Sequence, residues 1–486
     1  MSRKTAVILI VISMLLGAGG TYAGVKYIDD DQPVIQSDQL TSVEDKAVQQ
    51  EVTNDEEDFT KVEEVFELIK NRYVEQIDDS ELIEGAIEGM IETLEDPFSS
   101  YMDKETADQF NQSLSSSFEG IGAEVSMEDG ILTIVTPFKN SPAEKAGLKS
   151  KDKVITVDGE SIEGLDLFEA VLKIRGEKGT TVVLEVIREG VSDTITFDVV
   201  RDEIPIETVY SSVKEYAGKS LGYIQITSFS EDTDEDFEQQ LDKLEKQNID
   251  GLVVDVRGNG GGYLDSVEKM LKQLVTKDKP YVQIEDRNGE KLRSSSSLKE
   301  QKPYPIVALI NEGSASASEI FAVALKEAGG YDIIGETSFG KGTVQQAIPM
   351  DDGSSVKLTQ FKWLTPDGNW IHEKGVEPTI EVKQPAYFYT NPIQFEEDLT
   401  YDMNSEHIKN IQIMLKGLGF DPGREDGYFG KETETAVSKF QQANNLEATG
   451  VINQETATQI EDRIIEEIGK EENDAQLKAA LEQLTK

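Results

Sequence analysis

Four short apolar runs constrain this chain most: "SLGYIQI" (220–226), "IDGLVVDV" (249–256), "PIVALI" (305–310) and "YDIIGE" (331–336). Each reads as a strand, and one as continuously apolar as "PIVALI" has both faces covered. A charged amphipathic helix separates the first two, and "SEIFAVALKEAG" (318–329) reads as the helix after the third. This alternation from about 205 to 385 predicts an α/β core with a buried, largely parallel sheet. "VQQAIPMDDGSSVKLTQFKWLTPDG" (344–368) then reads as a hairpin.

Other textures flank this core. Val62, Val65, Phe66, Ile69 and Tyr73 fall at helical spacing, as do Ile83, Ala86, Ile87, Met90, Ile91 and Leu94, ending before Asp96–Pro97. These two helices are read as core or partner interface. From about 118 to 202 come short strands and one good helix. "GIGAEVSMEDGILTIVTPF" reads as a hairpin, Ser141–Pro142 as a helix start, and "LDLFEAVLKIRGEKG" as a helix ended by Gly176. Beyond "QPAYFYTNP" a helical module spans about 404–462, with stripes at Ile408, Ile411, Leu415 and Leu418 and at Ala436, Val437 and Phe440. The acidic end, 463–486, is expected to be a frayed helix at best.

The amino terminus bears on location. Behind "MSRK", residues 5–25 carry no charge, long enough to span a bilayer at about 20 residues. "TYA", ending at Ala23, also suits a signal cleavage site. Anchor and signal peptide both stand; either exports the rest. A polar, acidic stretch, 26–58, reads as a tether. The chain has 94 acidic and 47 basic residues, a formal net charge of −47, which repels phosphate backbones and argues against nucleic acid. It has no cysteine, so disulfides, thiolate metal sites, a cysteine nucleophile and a lipoprotein anchor are all excluded. Two histidines also argue against a His-rich zinc enzyme.

Chemistry concentrates in three stretches. "GSASASE" (313–319) sets three serines on alternate positions at the mouth of a helix. Ser316 and Glu319 fit a capping box, yet adjacent amides at a helix start also stabilise an oxyanion. Capping and catalysis compete for the same residues, so this stretch alone decides nothing. A nucleophile would need a base. His372 is the sole histidine of the α/β region, in a surface loop, and His407 belongs to the distal module. Lys341, between Gly340 and Gly342, is the other candidate, if burial leaves its amine neutral. Gln345, four positions on, shares its side of the chain. "GETSFGKG" (335–342) approaches the phosphate-loop pattern but has Gly342 where that motif needs Ser or Thr. "DVRGNGGG" (255–262) and "FEGIGAEV" (118–125) offer unshielded amides, the first for an oxyanion, the second for a peptide carboxylate.

Together "LEDPFSSYM" (94–102), "DVRGNGGG", "GSASASEIFAVALKE" and "GETSFGKGTVQQ" resemble the carboxy-terminal processing peptidases, or tail-specific proteases, and the resemblance runs from about 60 to 385. It implies an α+β multidomain chain: a helical dimerisation-type region (59–117), a PDZ domain (118–202) and a crotonase-like α/β serine protease core (203–390). The family's nucleophile is the middle serine, with a lysine 25 residues downstream and a glutamine four beyond, which match Ser316, Lys341 and Gln345. Such a site needs neither histidine nor metal, and no cofactor is implied. The oxyanion donors would be the amides of Ala317 and of Gly260 or Gly261. Gly120, Ile121 and Gly122 match the PDZ carboxylate-binding loop, and Arg175 is expected to couple PDZ to core. Residues 408–457, with "DGYFGKET" and "FQQANNL", are similar to the three-helix peptidoglycan-binding domain of wall enzymes, implying a module at 400–462. The resemblance therefore implies an exported serine endopeptidase of a Gram-positive bacterium, membrane-anchored or secreted to the wall space. It would cut proteins near a free carboxy terminus, with dimers expected. The competing reading is an inactive PDZ and peptidoglycan-binding scaffold.

Overall fold

The computed structural model describes residues 56–486 apart from 129, 192 and 394–396. The expected leader (1–25) and nearly all of the expected tether (26–58) lie outside the described residues. Among those residues, no helix is long and apolar enough to cross a membrane.

The chain divides into two compact units, 1–83 and 84–486. The described part of the first holds helix α1 (Glu56–Arg72) and the start of α2 (Asp79–Glu92), with Lys70 paired to Asp79 at 2.5 Å. The apolar stripe read from sequence is present but uncovered: Val62, Val65 and Tyr73 are each about half exposed.

The second unit begins with β1 (Ser100–Met102) and α3 (Lys104–Leu114), which Asp103 caps through the Thr106 N–H. Strands β2 (Ser117–Gly120) and β9 (Asp202–Pro205) pair antiparallel, so a small subdomain leaves and returns at one neck. Within it β3 (Ala123–Glu128) and β4 (Ile131–Pro137) form the expected hairpin. Helix α4 (Pro142–Ala146) starts at the Ser141 cap with Pro142 in its first turn, where a missing N–H costs nothing. After β5 (Lys153–Val157) and β6 (Glu160–Ser161), an Asp166–Glu169 capping box opens α5 (Leu167–Ile174). Strands β7 (Thr181–Ile187) and β8 (Ile195–Val200) complete the sheet β3-β4-β5-β7-β8 over one apolar core.

The larger sheet runs β10-β11-β12-β15-β16-β19. Its members are β10 (Val209–Tyr216), β11 (Lys219–Ile226), β12 (Gly251–Asp255), β15 (Ile306–Ile310), β16 (Asp332–Gly335) and β19 (Ile380–Glu381). Only the β10–β11 pair is antiparallel; the strands read from the four apolar runs, β11, β12, β15 and β16, pair parallel as expected. One face packs on α6 (Thr233–Glu245), α7 (Leu264–Leu274) and α8 (Ala317–Glu327). Helix α8 is buried on every side from Ala317 to Leu325, because a second, antiparallel sheet covers it from beyond. That sheet contains β13 (Pro280–Glu285), β14 (Lys291–Ser295), β17 (Thr343–Pro349) and β18 (Ser355–Leu364), with β1 at one edge. The β17–β18 hairpin matches expectation.

Helices α9 (Glu406–Gly417), α10 (Lys431–Ala443) and α11 (Gln454–Ile468) form a separate three-helix core. Gln412, buried there, accepts the Gly427 N–H and donates to the Tyr428 carbonyl, pinning the "DGYFG" turn. The tail differs from expectation. Rather than fraying, residues 475–484 form α12 (Ala475–Leu484), whose Leu477, Ala480 and Leu484 pack on Leu221, Val253, Val307, Leu309 and Ile334. These are the alternate residues of the large sheet, on the face opposite α6–α8. A doubly apolar sheet must be covered twice, and α12 supplies the second layer.

Candidate active site

Parallel strands β12 and β15 end side by side, and the loops leaving their carboxyl ends carry 257–262 and 311–316, the usual place for chemistry in such sheets. The three serines of "GSASASE" have separate duties. Ser314 Oγ donates to the Val256 carbonyl (2.8 Å) and Ser318 Oγ to the Asn259 carbonyl (2.7 Å), both fully buried. They stitch the serine loop to the glycine loop. Ser316 between them stands at the α8 N-cap with φ +52°, a turn few non-glycine residues adopt, and lines an open cleft of about 710 Å³.

Glu319 gathers the site. Fully buried, its carboxylate accepts the Ser316 and Lys341 N–H groups at Oε2 (2.8 Å each). Its Oε1 accepts the Gly340 N–H (2.7 Å) and the Ser338 hydroxyl (2.6 Å). The capping glutamate thus ties the serine turn to the lysine loop. The glycines beside Lys341 are sterically required. A Cβ at Gly342 would sit 2.8 Å from the His372 nitrogen and Trp370 Nε1, and Gly340 has φ +96°.

Lys341, half-buried, lines the same cleft, its Nζ 4.8 Å from the Phe98 ring centre. Burial and then the charge of Lys357 push its pKa below the ordinary lysine value, against opposing pulls from Asp96 and Glu319. Gln345 lines the cleft too, but its amide donates to Thr343 Oγ1 (3.0 Å) and Thr359 Oγ1 (2.9 Å). Its amide is thus anchored by threonines rather than by Lys341. His372 lies elsewhere: its Nδ1 accepts the Gly342 N–H (3.2 Å) and its ring stacks on Trp370. It braces the lysine loop and lines a different cavity. His407 stands in α9 of the distal module. The phosphate-loop reading fails structurally, since "GETSFGKG" runs into strand β17 and no helix follows.

Gly260 and Gly261 both border the cleft with Ala317. The Gly261 N–H already donates to Asn259 Oδ1 (2.9 Å), and a Cβ there would meet the Ala317 nitrogen at 3.2 Å. At Gly260 a Cβ would have nothing within 4 Å.

In the small subdomain, the Ile121 and Gly122 carbonyls accept the Ala143 and Phe138 N–H groups, fixing the 120–122 loop; Gly122 has φ +72°. Arg175 Nη1 donates to Gln112 Oε1 of α3 (2.7 Å), with the guanidinium over the Phe118 ring of β2. Phe110, Asn111 and Leu114 of that same helix line the serine cleft. Helix α3 thus touches the small subdomain at Arg175 and the cleft at Phe110. Sequence reading did not single out α3 or Lys357, because each reaches the site only through tertiary contacts, and it gave no role to Asp96 or Asn259 within the motifs that contain them.

Family models match along the chain: peptidase family S41 at 220–382, the CtpB activating-protease N-terminal domain at 14–106, a PDZ domain at 120–199 and a peptidoglycan-binding domain at 404–460. The carboxy-terminal processing protease CtpB of Bacillus subtilis is 54% identical over 100% of this chain and 99% of its own. CtpA of the same organism is 42% identical over 88% of this chain and 90% of its own. Among solved structures, a photosystem II D1 C-terminal processing protease is 29% identical, with TM-score 0.41, over 67% of this chain and 86% of its own. The chain belongs to the carboxy-terminal processing proteases of peptidase family S41, as a serine peptidase that carries a PDZ domain and a peptidoglycan-binding domain.

Proposed function

We propose that Ser316 is the nucleophile, Lys341 the general base and Gln345 its polar neighbour, with the amides of Ala317 and Gly260 holding the oxyanion. The observation that carries this reading is the buried Glu319 carboxylate, which bonds the backbones of Ser316 and Lys341 together beside one cleft. Neutral Lys341 takes the Ser316 proton as Oγ bonds to a peptide carbonyl carbon. The tetrahedral oxyanion rests on the two amides, at a helix start that favours negative charge. Lys341 then gives its proton to the leaving amine as the C–N bond breaks. Water, deprotonated by Lys341, attacks the acyl ester; a new carboxy terminus leaves, and the proton returns to Ser316. Gly260 is the preferred glycine, since the Gly261 N–H is committed to Asn259.

Substrates are proteins with a free carboxy terminus, held at Gly120–Gly122, and the PDZ domain gates cleavage through Arg175 and α3. Residues 1–25 export the chain and 26–58 tether it, the peptidoglycan-binding domain (400–462) keeping it in the wall space of a Gram-positive bacterium. The exposed stripe of α1 suits a homodimer contact. The test is cleavage of an unstructured protein with an apolar free carboxy terminus. Ser316→Ala and Lys341→Ala are each expected to abolish it. Cleavage surviving in Lys341→Ala would overturn the lysine assignment. Co-sedimentation of the full chain with insoluble peptidoglycan tests the wall location, and its absence removes that part.

A further inference from the structure

The carboxy-terminal helix reaches the glycine loop. Arg257, two residues past β12, directs Nη1 to Asp474 Oδ1 and Gln476 Oε1 (3.0 Å each) and Nη2 to Asp474 Oδ2 (2.8 Å). Its other edge holds Asp255 through Nε (2.9 Å) and Nη2 (2.6 Å). Both Arg257 and Asp474 are largely buried. Asp474 is fixed in turn: it caps α12 through the Leu477 N–H (2.9 Å) and accepts Gln384 Nε2 (2.7 Å). A guanidinium gripped by carboxylates on two edges has one orientation, because the fork is planar and rigid.

Directly after this fork in the chain comes the stretch Gly258–Asn259–Gly260–Gly261. Gly258 and Gly261 have φ +68° and +112°, and from outside the stretch Asn311 Oδ1 accepts the Gly258 N–H (2.8 Å) while Ser318 Oγ donates to the Asn259 carbonyl (2.7 Å). Its side-chain anchors within the loop are Asn259, bonded to the Ile226 carbonyl and the Gly261 N–H, and Arg257. We infer that α12 is a brace for the oxyanion loop, with Asp474 and Gln476 acting as positioning residues for the Gly260 amide through Arg257. This rests on the proposed site above. The tail then serves catalysis as well as covering the sheet, and the two roles separate experimentally. Asp474 touches Arg257, whereas Leu484 packs against the sheet without reaching the loop.

The experiment compares full-length parent, Asp474→Asn, Gln476→Ala and Leu484→Val for kcat, KM, thermal melting and inhibition by a peptide aldehyde, whose serine adduct mimics the oxyanion. Asp474→Asn is expected to lower kcat roughly tenfold with KM nearly unchanged, below the roughly 10²–10³-fold loss for removing a donor outright. Aldehyde affinity should fall by the same factor. Gln476→Ala should give a smaller loss of the same kind. Leu484→Val should lower the melting temperature while leaving kcat at the parent value. Parental kcat and aldehyde affinity in Asp474→Asn overturn the inference, as does a loss of kcat in Leu484→Val that tracks melting. Cleavage surviving in Ser316→Ala would instead overturn the site itself, independently of the tail.

Discussion

Replacing Glu319 by glutamine removes one charge and one acceptor from the junction between serine and lysine loops. The direction in which the new amide settles sets the cost. Placed where Oε2 was, the NH₂ would face two donors, the Ser316 and Lys341 N–H groups. Placed where Oε1 was, it meets Ser338 Oγ, which already accepts the Val376 N–H and can accept a second bond by turning its own proton away, and the Gly340 N–H, which cannot accept. The second orientation therefore wins and leaves one buried N–H without a partner, at about 1–3 kcal/mol. The bonds from Ser316 and Lys341 then go to a neutral carbonyl and weaken by about 1 kcal/mol each. Relief of carboxylate desolvation offsets part of this, so the core should lose about 2–4 kcal/mol. That corresponds to a fall on the order of 5–15 °C in its melting temperature. The freed bond is at Gly340, next to the proposed base, so kcat should fall roughly 10–100-fold even well below the transition. Thermal melting and initial rates on an unstructured substrate check both. Parental melting with kcat within about twofold would refute the argument that this carboxylate holds the two loops.

Three further outcomes are expected. With Lys341 as the proposed base working in its neutral form, and its pKa lowered, activity should rise with pH through a value below that of an ordinary lysine; Lys357→Met removes one depressing charge and should move the rise to higher pH, and an unmoved pH–rate profile refutes that coupling. Gly342→Ala should destabilise the core by about 1–3 kcal/mol and impair cleavage, because the added Cβ meets backbone at 2.8 Å; parental melting would show that the loop yields freely. Arg175→Ala frees Gln112 of α3, so cleavage should lose its response to an added peptide with an apolar carboxy terminus; the parental response in this variant would refute the gating route.

How much was legible in the sequence follows the range of each interaction. Period-two and period-3.6 patterns are local, so the parallel strands, the β3–β4 and β17–β18 hairpins and the capped helices could all be read directly. Motif order carried the family, and with it the spacing of Ser316, Lys341 and Gln345. The sequence by itself also determined that "PIVALI" and its neighbours needed cover on both faces. Only the tertiary structure decided what provides it: α12, some 170 residues away, whose short pattern within an acidic tail read as frayed because its apolar stripe has meaning only against Leu309 and Ile334. The same distinction holds at the site. Glu319 was visible as a cap three residues after Ser316, but that its second oxygen receives Gly340 and Ser338 was not. Nor was the division of labour among the three serines, since Ser314 and Ser318 are told apart from Ser316 only by carbonyls 58 and 59 residues distant in sequence. Hydrophobic pattern is written along the chain, whereas a hydrogen bond between loops depends on where the folded sheet brings their ends.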